Sequence, residues 1–168
     1  MRLISRLSGA LSLGVALAAL CVLSAPTAAV ASTTQIAMIQ DGPLLMSDPV
    51  GTLQRFRLLG ASSVRVLVFW YGVTRNPGSR RAPSGFDATN PNAYPAANWA
   101  PYDAIVRDAK QDGITVDFSV AGGAPLWADG SGIPKGGTNS HFAWKPSAKD
   151  YGQFVQAVVG EFQVMRDP

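Results

Sequence analysis

The acidic side chains are the first residues of this sequence that could do chemistry. Of the eleven acidic residues, only Glu161 is a glutamate, and it lies near the end of a predicted helix, where we expect a surface position. Asp117 lies in the middle of the apolar segment ITVDFSV, and Asp41 follows the apolar segment QIAMIQ. Cleavage of a glycosidic bond requires two carboxyl groups roughly 5–10 Å apart on either side of a sugar ring. Asp41 and Asp117 could form such a pair.

Arg65 is the second candidate, because it interrupts the apolar segment SSVRVLVFW at positions 62–70. The apolar neighbours predict a strand covered on both faces, with the Arg65 side chain pointing into protein. A buried guanidinium without a partner costs several kcal/mol. We therefore expect Arg65 to hold a carboxylate through bidentate hydrogen bonds. The alternative is an arginine at a sheet edge that reaches solvent.

Aromatic residues form the third feature, because they lie at predicted strand ends and in two long loops. Aromatic rings pack against the apolar faces of sugars, and their polar tips bond to hydroxyl groups. The alternative is that these rings form the hydrophobic core of the loops themselves. Trp70, Tyr71 and Trp127 are the candidate substrate-binding aromatics, together with Asp41 and Asp117. The full set is Trp70, Tyr71, Phe86, Tyr94, Trp127, Phe142 and Trp144.

Metal, cofactor and nucleic-acid chemistry find no support in the sequence. His141 is the only histidine, and the spacing around it fits neither a metal site nor a catalytic triad. The sequence contains no nucleophile elbow, and GSGIPKGG fits no phosphate-binding loop. The net charge of +3 includes Arg2 and Arg6, so the exported chain would carry about +1. We expect no metal, no cofactor and no nucleic-acid partner.

The first 31 residues predict a secretory signal peptide. Arg2 and Arg6 form a positive segment, an apolar run follows at 11–23, and AVA at 29–31 fits a cleavage site. The run is shorter than the roughly 20 residues that span a bilayer, although an uncleaved anchor is the alternative. Cys21 is the only cysteine and would leave with the signal. Residues 32–168 would then be one secreted domain without disulfides or a membrane anchor.

The mature sequence alternates between strand-like and helix-like segments. Strands are predicted at 35–40, 62–70 and 114–120, and helical segments at 47–60, 98–113 and 146–162. The predicted helix caps are Asp48 (or Ser47), Asn98 and Ser147. This alternation predicts an α/β fold with a parallel sheet. The long loops after the second and third strands lie at the C-terminal face of the sheet, where α/β barrels build their active sites.

Three segments carry a resemblance to a known family. They are QDGPLL…LQRFRLLGASSVRVLVFW, FDATNPNAYPAANWAPYDAIVRDAKQDGITVDFSVAGGAPLWA and WKPSAKDYGQFVQAV. Together they resemble the start of a clan A glycoside hydrolase, and they are similar to secreted actinobacterial proteins related to family 5 cellulases and family 39 xylosidases. The resemblance covers 35–162. It implies a (β/α)8 TIM barrel, of which this chain would form the first three βα units.

The resemblance also implies which residues act. Arg65 matches the family arginine on the second strand, which orients the nucleophile of a retaining mechanism. The acid/base glutamate of the NEP sequence on strand four, and the nucleophilic glutamate on strand seven, have no counterparts in this sequence. The expectation is a truncated hydrolase of a polysaccharide or oligosaccharide, inactive as this chain alone. The alternative is a non-catalytic carbohydrate-binding module, and in either case the unpaired sheet edges predict self-association.

Overall fold

The computed structural model describes residues 34–133 and 143–163. Every element below belongs to the compact unit Ile36–Pro168. The predicted signal peptide at 1–31 lies outside the described residues, as do His141 and Phe142. In the described ranges, no helix combines the length and the apolarity needed to cross a membrane.

Three strands and several helices alternate along the chain. In chain order the elements are β1 (Met38–Ile39), α1 (Gly42–Ser47), α2 (Pro49–Leu58), β2 (Ser63–Phe69), α3 (Trp70–Val73), a 3-10 turn (Pro91–Ala93), α4 (Ala96–Asp112), β3 (Thr115–Ala121) and α5 (Ala148–Gln163). The first strand is shorter than the predicted 35–40, since only two residues pair with β2. The short helices α1 and α3 follow directly from strand ends and were not predicted.

The strands form one parallel sheet in the order β1-β2-β3, which confirms the predicted α/β class. All seven residues of β2 pair with β3, from Ser63 opposite Thr115 to Phe69 opposite Ala121. Side chains alternate between the two faces of a strand. Val64, Val66 and Val68 are completely buried, whereas Arg65 and Phe69 are exposed. The prediction that this strand is covered on both faces is therefore wrong, because helices cover only one of them.

The helix ends show which local sequence signals determine the fold. Asp48 caps α2 as predicted, with its Oδ1 accepting the Gly51 amide at 3.0 Å. At the other end Gly60 has a φ of +85°, and the Ala61 amide donates to the Phe56 carbonyl. This is a Schellman motif, which needs a residue in the left-handed region. It turns the chain directly into β2.

The start of α4 differs from the prediction, whereas the start of α5 agrees with it. We predicted Asn98 as the α4 cap, but the helix begins at Ala96 after Pro95. Asn98 lies inside the first turn, and its Nδ2 donates instead to the Val73 carbonyl at 3.1 Å. Ser147 caps α5 as predicted, with its Oγ accepting the Asp150 amide at 3.3 Å.

The core lies between the sheet and the helices and is unusually rich in aromatic rings. Trp70, which is 1% exposed, stacks on Phe154 of α5 with ring centroids 5.5 Å apart. Phe118 of β3 stacks on Phe162 at 4.1 Å. These contacts pack α5 against α3, which directly follows β2, and against β3. The opposite face of the sheet receives no such cover from the described helices.

Candidate functional site

The open face of the sheet brings together the polar residues of β2 and β3. Arg65 lies opposite Asp117 in the register, and Leu67 lies opposite Ser119. Paired residues of a parallel sheet project from the same face, so Arg65, Asp117 and Ser119 share it. The Arg65 Nε donates to the Ser119 Oγ at 2.7 Å. In the described part of the chain, Arg65 forms no ion pair within 4 Å.

The structure corrects the expected burial of Arg65, whereas its role in holding a carboxylate stays a prediction. Its side chain is exposed rather than enclosed by protein. The physical reason is the two-residue period of the strand: the apolar residues next to it in sequence point away from it, under the helices. Its guanidinium has five N–H donors in a fixed fork, of which Ser119 takes one. The others face the open side of the sheet, where a carboxylate could bind.

An exposed aromatic pair lies at the C-terminal end of this face. Phe69 is 39% exposed and Tyr71 is 41% exposed, and their ring centroids are 6.4 Å apart. A β-carbon added at Gly122 would collide with the Phe69 ring, so the ring packs directly over this glycine. The Tyr71 amide donates to the Gly123 carbonyl at 3.1 Å, which holds the start of one long loop against the start of the other.

The tryptophans of the loops are largely internal. Trp70 has almost no exposed surface, so neither face of its ring is open to a ligand. Trp127 is half-buried, and its ring packs edge-on against Trp70 at 6.0 Å and against Phe86 at 5.7 Å. The indole Nε1 atoms of both are buried without a hydrogen-bond partner. These rings form the core of the loops, and substrate binding by Trp127 stays a prediction.

The carboxylates are distributed over separate parts of the fold. Asp41 lies beyond the end of β1, and its Oδ1 caps α1 by accepting the Leu44 amide at 3.1 Å. Asp117 lies on β3, so β2 separates the two, at a distance of roughly two strand spacings, about 10 Å. Glu161 lies near the end of α5, on the helix-covered side, and is half-buried rather than fully exposed. Among the described strand residues, Asp117 is the carboxylate that shares the open face with Arg65.

The arrangement offers an exposed guanidinium and exposed aromatic rings, which can bind an anion or a polar ring. Sequence reasoning missed Ser119 and Phe69, although a signal existed, since Phe69 is four residues from Arg65 and shares its face. Residues 34–133 and 143–163 contain no group of three or more His, Cys, Asp or Glu side chains able to hold a metal ion.

Comparisons of the chain with protein-family models, with curated proteins and with solved structures gave no match.

Proposed function

We propose that the chain forms the first three βα units of a secreted, retaining glycoside hydrolase barrel that acts on a polysaccharide or oligosaccharide. In this proposal Arg65 orients a catalytic carboxylate that comes from a later strand, and no cofactor takes part. The observation that carries the proposal is the open sheet face: an arginine on the second parallel strand has a serine as its protein partner and presents its remaining donors to open space.

No strand of the described residues pairs with the outer edge of β3, and this free edge also supports a larger sheet. A groove of about 610 Å³ runs between β3 and α5 and is lined mainly by apolar side chains. Val116, Val120, Val155, Val159 and Phe162 are among them. An edge strand with free backbone groups beside an apolar groove is suited to receive a further strand. In the proposed barrel, the fourth strand occupies this place.

The isolated chain should then self-associate through these edges. Sedimentation velocity on the purified chain measures this, and we expect a dimer or larger species whose population rises with concentration. A well-folded monomer at high concentration would contradict this expectation, because it would show that the edge needs no partner.

A glycosidase assay tests the catalytic part of the proposal. With aryl glycosides and soluble xylan, mannan and cellulose fragments, the chain alone should give turnover at background, since Asp117 is the one carboxylate that the described strand residues bring to the open face. Clear turnover that disappears in Asp117→Ala would show that this chain carries its own active site. The coding sequence downstream, read in all three frames, should contain NEP after a strand-like segment.

The role of Arg65 can be tested in a chain extended by that downstream segment. Arg65→Lys should lower kcat by about tenfold or more, because lysine cannot reproduce the bidentate geometry of a guanidinium. Arg80→Lys, in an exposed loop, is the matched control and should have no effect. Equal activity of the two variants would exclude Arg65 from positioning the nucleophile.

The exposed pair Phe69 and Tyr71 favours a second candidate function, that of a non-catalytic carbohydrate-binding module. Stacking of a sugar on an exposed ring predicts saturable binding of xylo-, cello- or manno-oligosaccharides. Titration calorimetry should show weaker binding in Tyr71→Ala than in the parent chain, and Trp127→Ala tests the neighbouring loop. Absence of heat with all three sugars would count against this function.

A further inference from the structure

A second cavity lies on the helix-covered side of the sheet, away from the open face. Its volume is about 300 Å³, and it lies between the 3-10 turn, the first half of α4 and the end of α5. Its polar wall consists of Arg75, Asn92, Asp103 and Glu161, and Tyr94 and Trp99 contribute aromatic surface. All of its lining residues belong to the described part of the chain. Neither the proposed hydrolase nor the proposed binding module uses this site.

Two carboxyl groups from different helices meet in this cavity. Burial raises the pKa of both Asp103 and Glu161, and the charge of Asp103 raises the pKa of Glu161 further. The Asp103 Oδ1 is excluded from solvent and accepts no hydrogen bond. The Arg107 guanidinium lowers the Asp103 pKa, but its Nε donates to the Asp108 Oδ1 at 3.0 Å. In the part of the chain that the structure describes, neither Asp103 nor Glu161 forms an ion pair within 4 Å.

The polar atoms of the two aromatic side chains in the wall already have hydrogen-bond partners. The Trp99 Nε1 donates to the Pro91 carbonyl at 3.2 Å, and the Tyr94 hydroxyl donates to the Ala88 carbonyl at 3.0 Å. Burial also raises the pKa of Tyr94, so this hydroxyl keeps its proton. The two rings thus present apolar surface to the cavity. Hydrogen-bond acceptors remain at the carboxyl pair, and Arg75 contributes an exposed guanidinium.

We propose that this cavity binds a small molecule by its primary ammonium group, which Asp103 and Glu161 receive, while Arg75 bonds to oxygen atoms at the other end of the molecule. An ammonium group has three N–H donors and one charge, which suits two carboxylates. A calcium ion takes six or more oxygen ligands, more than this wall offers, and the guanidinium would repel it. Amino sugars and amino acids share the required chemistry.

The test compares D-glucosamine with N-acetyl-D-glucosamine, in which acetylation removes the positive charge and two N–H donors and adds an acetyl group. Titrations of the full chain are followed by amide shifts of Ala93 and Gln163 and by the indole N–H of Trp99. L-serine forms a third arm, which distinguishes a carboxylate end from a hydroxyl-bearing end. We expect saturable shifts with an amine and none with N-acetyl-D-glucosamine. Affinity should rise with pH as the two carboxyl groups ionise.

Variants assign the response to the cavity. Glu161→Gln and Asp103→Asn should each weaken amine binding by about tenfold, the loss expected for a charge-assisted hydrogen bond. Asp150→Asn makes the same charge change on the same helix and should leave binding unchanged. Equal shifts with the acetylated sugar, amine binding that survives in both cavity variants, or no saturable response to either amine would each overturn the proposal. Because the open face is not involved, these outcomes leave the proposed hydrolase untouched.

Discussion

The two faces of β2 differ completely in what they contact, although their residues alternate along a single strand. Val64, Val66 and Val68 lie under the helices with no exposed surface. Arg65 and Phe69 project from the other face, and Leu67 between them is only half-buried. A strand can therefore be apolar at nearly every position and still have one covered face. In such a strand the single charged residue identifies the face that remains open.

The comparison also separates stability from function. Burying a valine side chain contributes about 1.5–3 kcal/mol, so the covered face holds the fold together. The open face contributes less to this chain, which leaves its residues free to serve a partner strand or a ligand. This difference can be tested directly by truncating side chains on each face of the sheet and measuring the free energy of unfolding.

Phe154→Ala should have the largest effect. Phe154 has no exposed surface and stacks on Trp70, so its removal leaves a cavity between α5 and the end of β2. We expect a loss of about 3–5 kcal/mol in urea unfolding, enough to unfold a marginal domain. Val159→Ala, on the same helix but 55% exposed, should change stability by less than about 0.5 kcal/mol. Similar losses in the two variants would show that α5 does not pack as described.

Two neighbouring residues of β2 give the sharpest test of the two faces. Val66→Ala should cost about 2 kcal/mol, since the side chain is completely buried. Leu67→Ala removes more atoms but should cost under about 1 kcal/mol, because its face is half open. Chemical unfolding of both variants measures this order. A larger loss for Leu67→Ala would mean that self-association covers the open face, and the loss should then depend on protein concentration.

The sequence predicted the sheet class because strand and helix signals are local. Asp48 and Ser147 act as caps through hydrogen bonds within three residues, and Gly60 ends its helix through its own backbone conformation. The Asn98 prediction failed because a tertiary contact with Val73 competes for the same side chain. Local hydrogen bonds can be read from spacing, whereas a bond between distant segments cannot.

The candidate site was harder to predict for a related reason. Arg65 was assigned to the correct strand, but its environment depends on which face the helices cover, and the neighbouring residues alone do not determine this. Trp70 and Trp127 were predicted to bind substrate, with a core of the loops as the alternative. The two rings pack against each other and against Phe154 or Phe86, and these contacts between distant segments cannot be read from the sequence.

A smaller effect is expected at Gly122, where the open face meets a loop. Gly122 has a φ of +85°, and a β-carbon there would collide with the Phe69 ring. Gly122→Ala should cost about 1–2 kcal/mol from the backbone conformation alone, with an added term from the ring. In a double-mutant cycle, Phe69→Ala should remove only the part of the loss that comes from the collision with the ring, and the part from the backbone conformation should remain. Strict additivity of the two substitutions would show that the ring does not lie over the glycine.

The smallest effect concerns the acidic pair on the covered side. Burial and the Asp103 charge raise the pKa of Glu161 above its ordinary value of 4.5, so the folded state holds this proton more tightly than the unfolded state. Binding of this proton stabilises the folded state. The stabilisation is fully present below the pKa of Glu161 in the unfolded chain and is lost as the pH rises through its pKa in the folded chain. Glu161→Gln should therefore be more stable than the parent at neutral pH, by only roughly a few tenths of a kcal/mol because solvent screens this half-buried group. This gain in stability of Glu161→Gln over the parent should vanish at about pH 3.5.

Asp87 provides a control of opposite sign in the same measurement. The Thr89 hydroxyl and amide donate to its Oδ1 at 2.7 and 3.0 Å and hold its pKa below the usual value. Its contribution is present above the unfolded pKa and is lost as pH falls, so Asp87→Asn should be less stable than the parent at neutral pH and equal to it in acid. Thermal unfolding of the three proteins across this pH range should give curves that diverge in opposite directions. Parallel curves for the two variants would mean that solvent, rather than the Asp103 neighbour and the helix packing, determines the ionisation of Glu161.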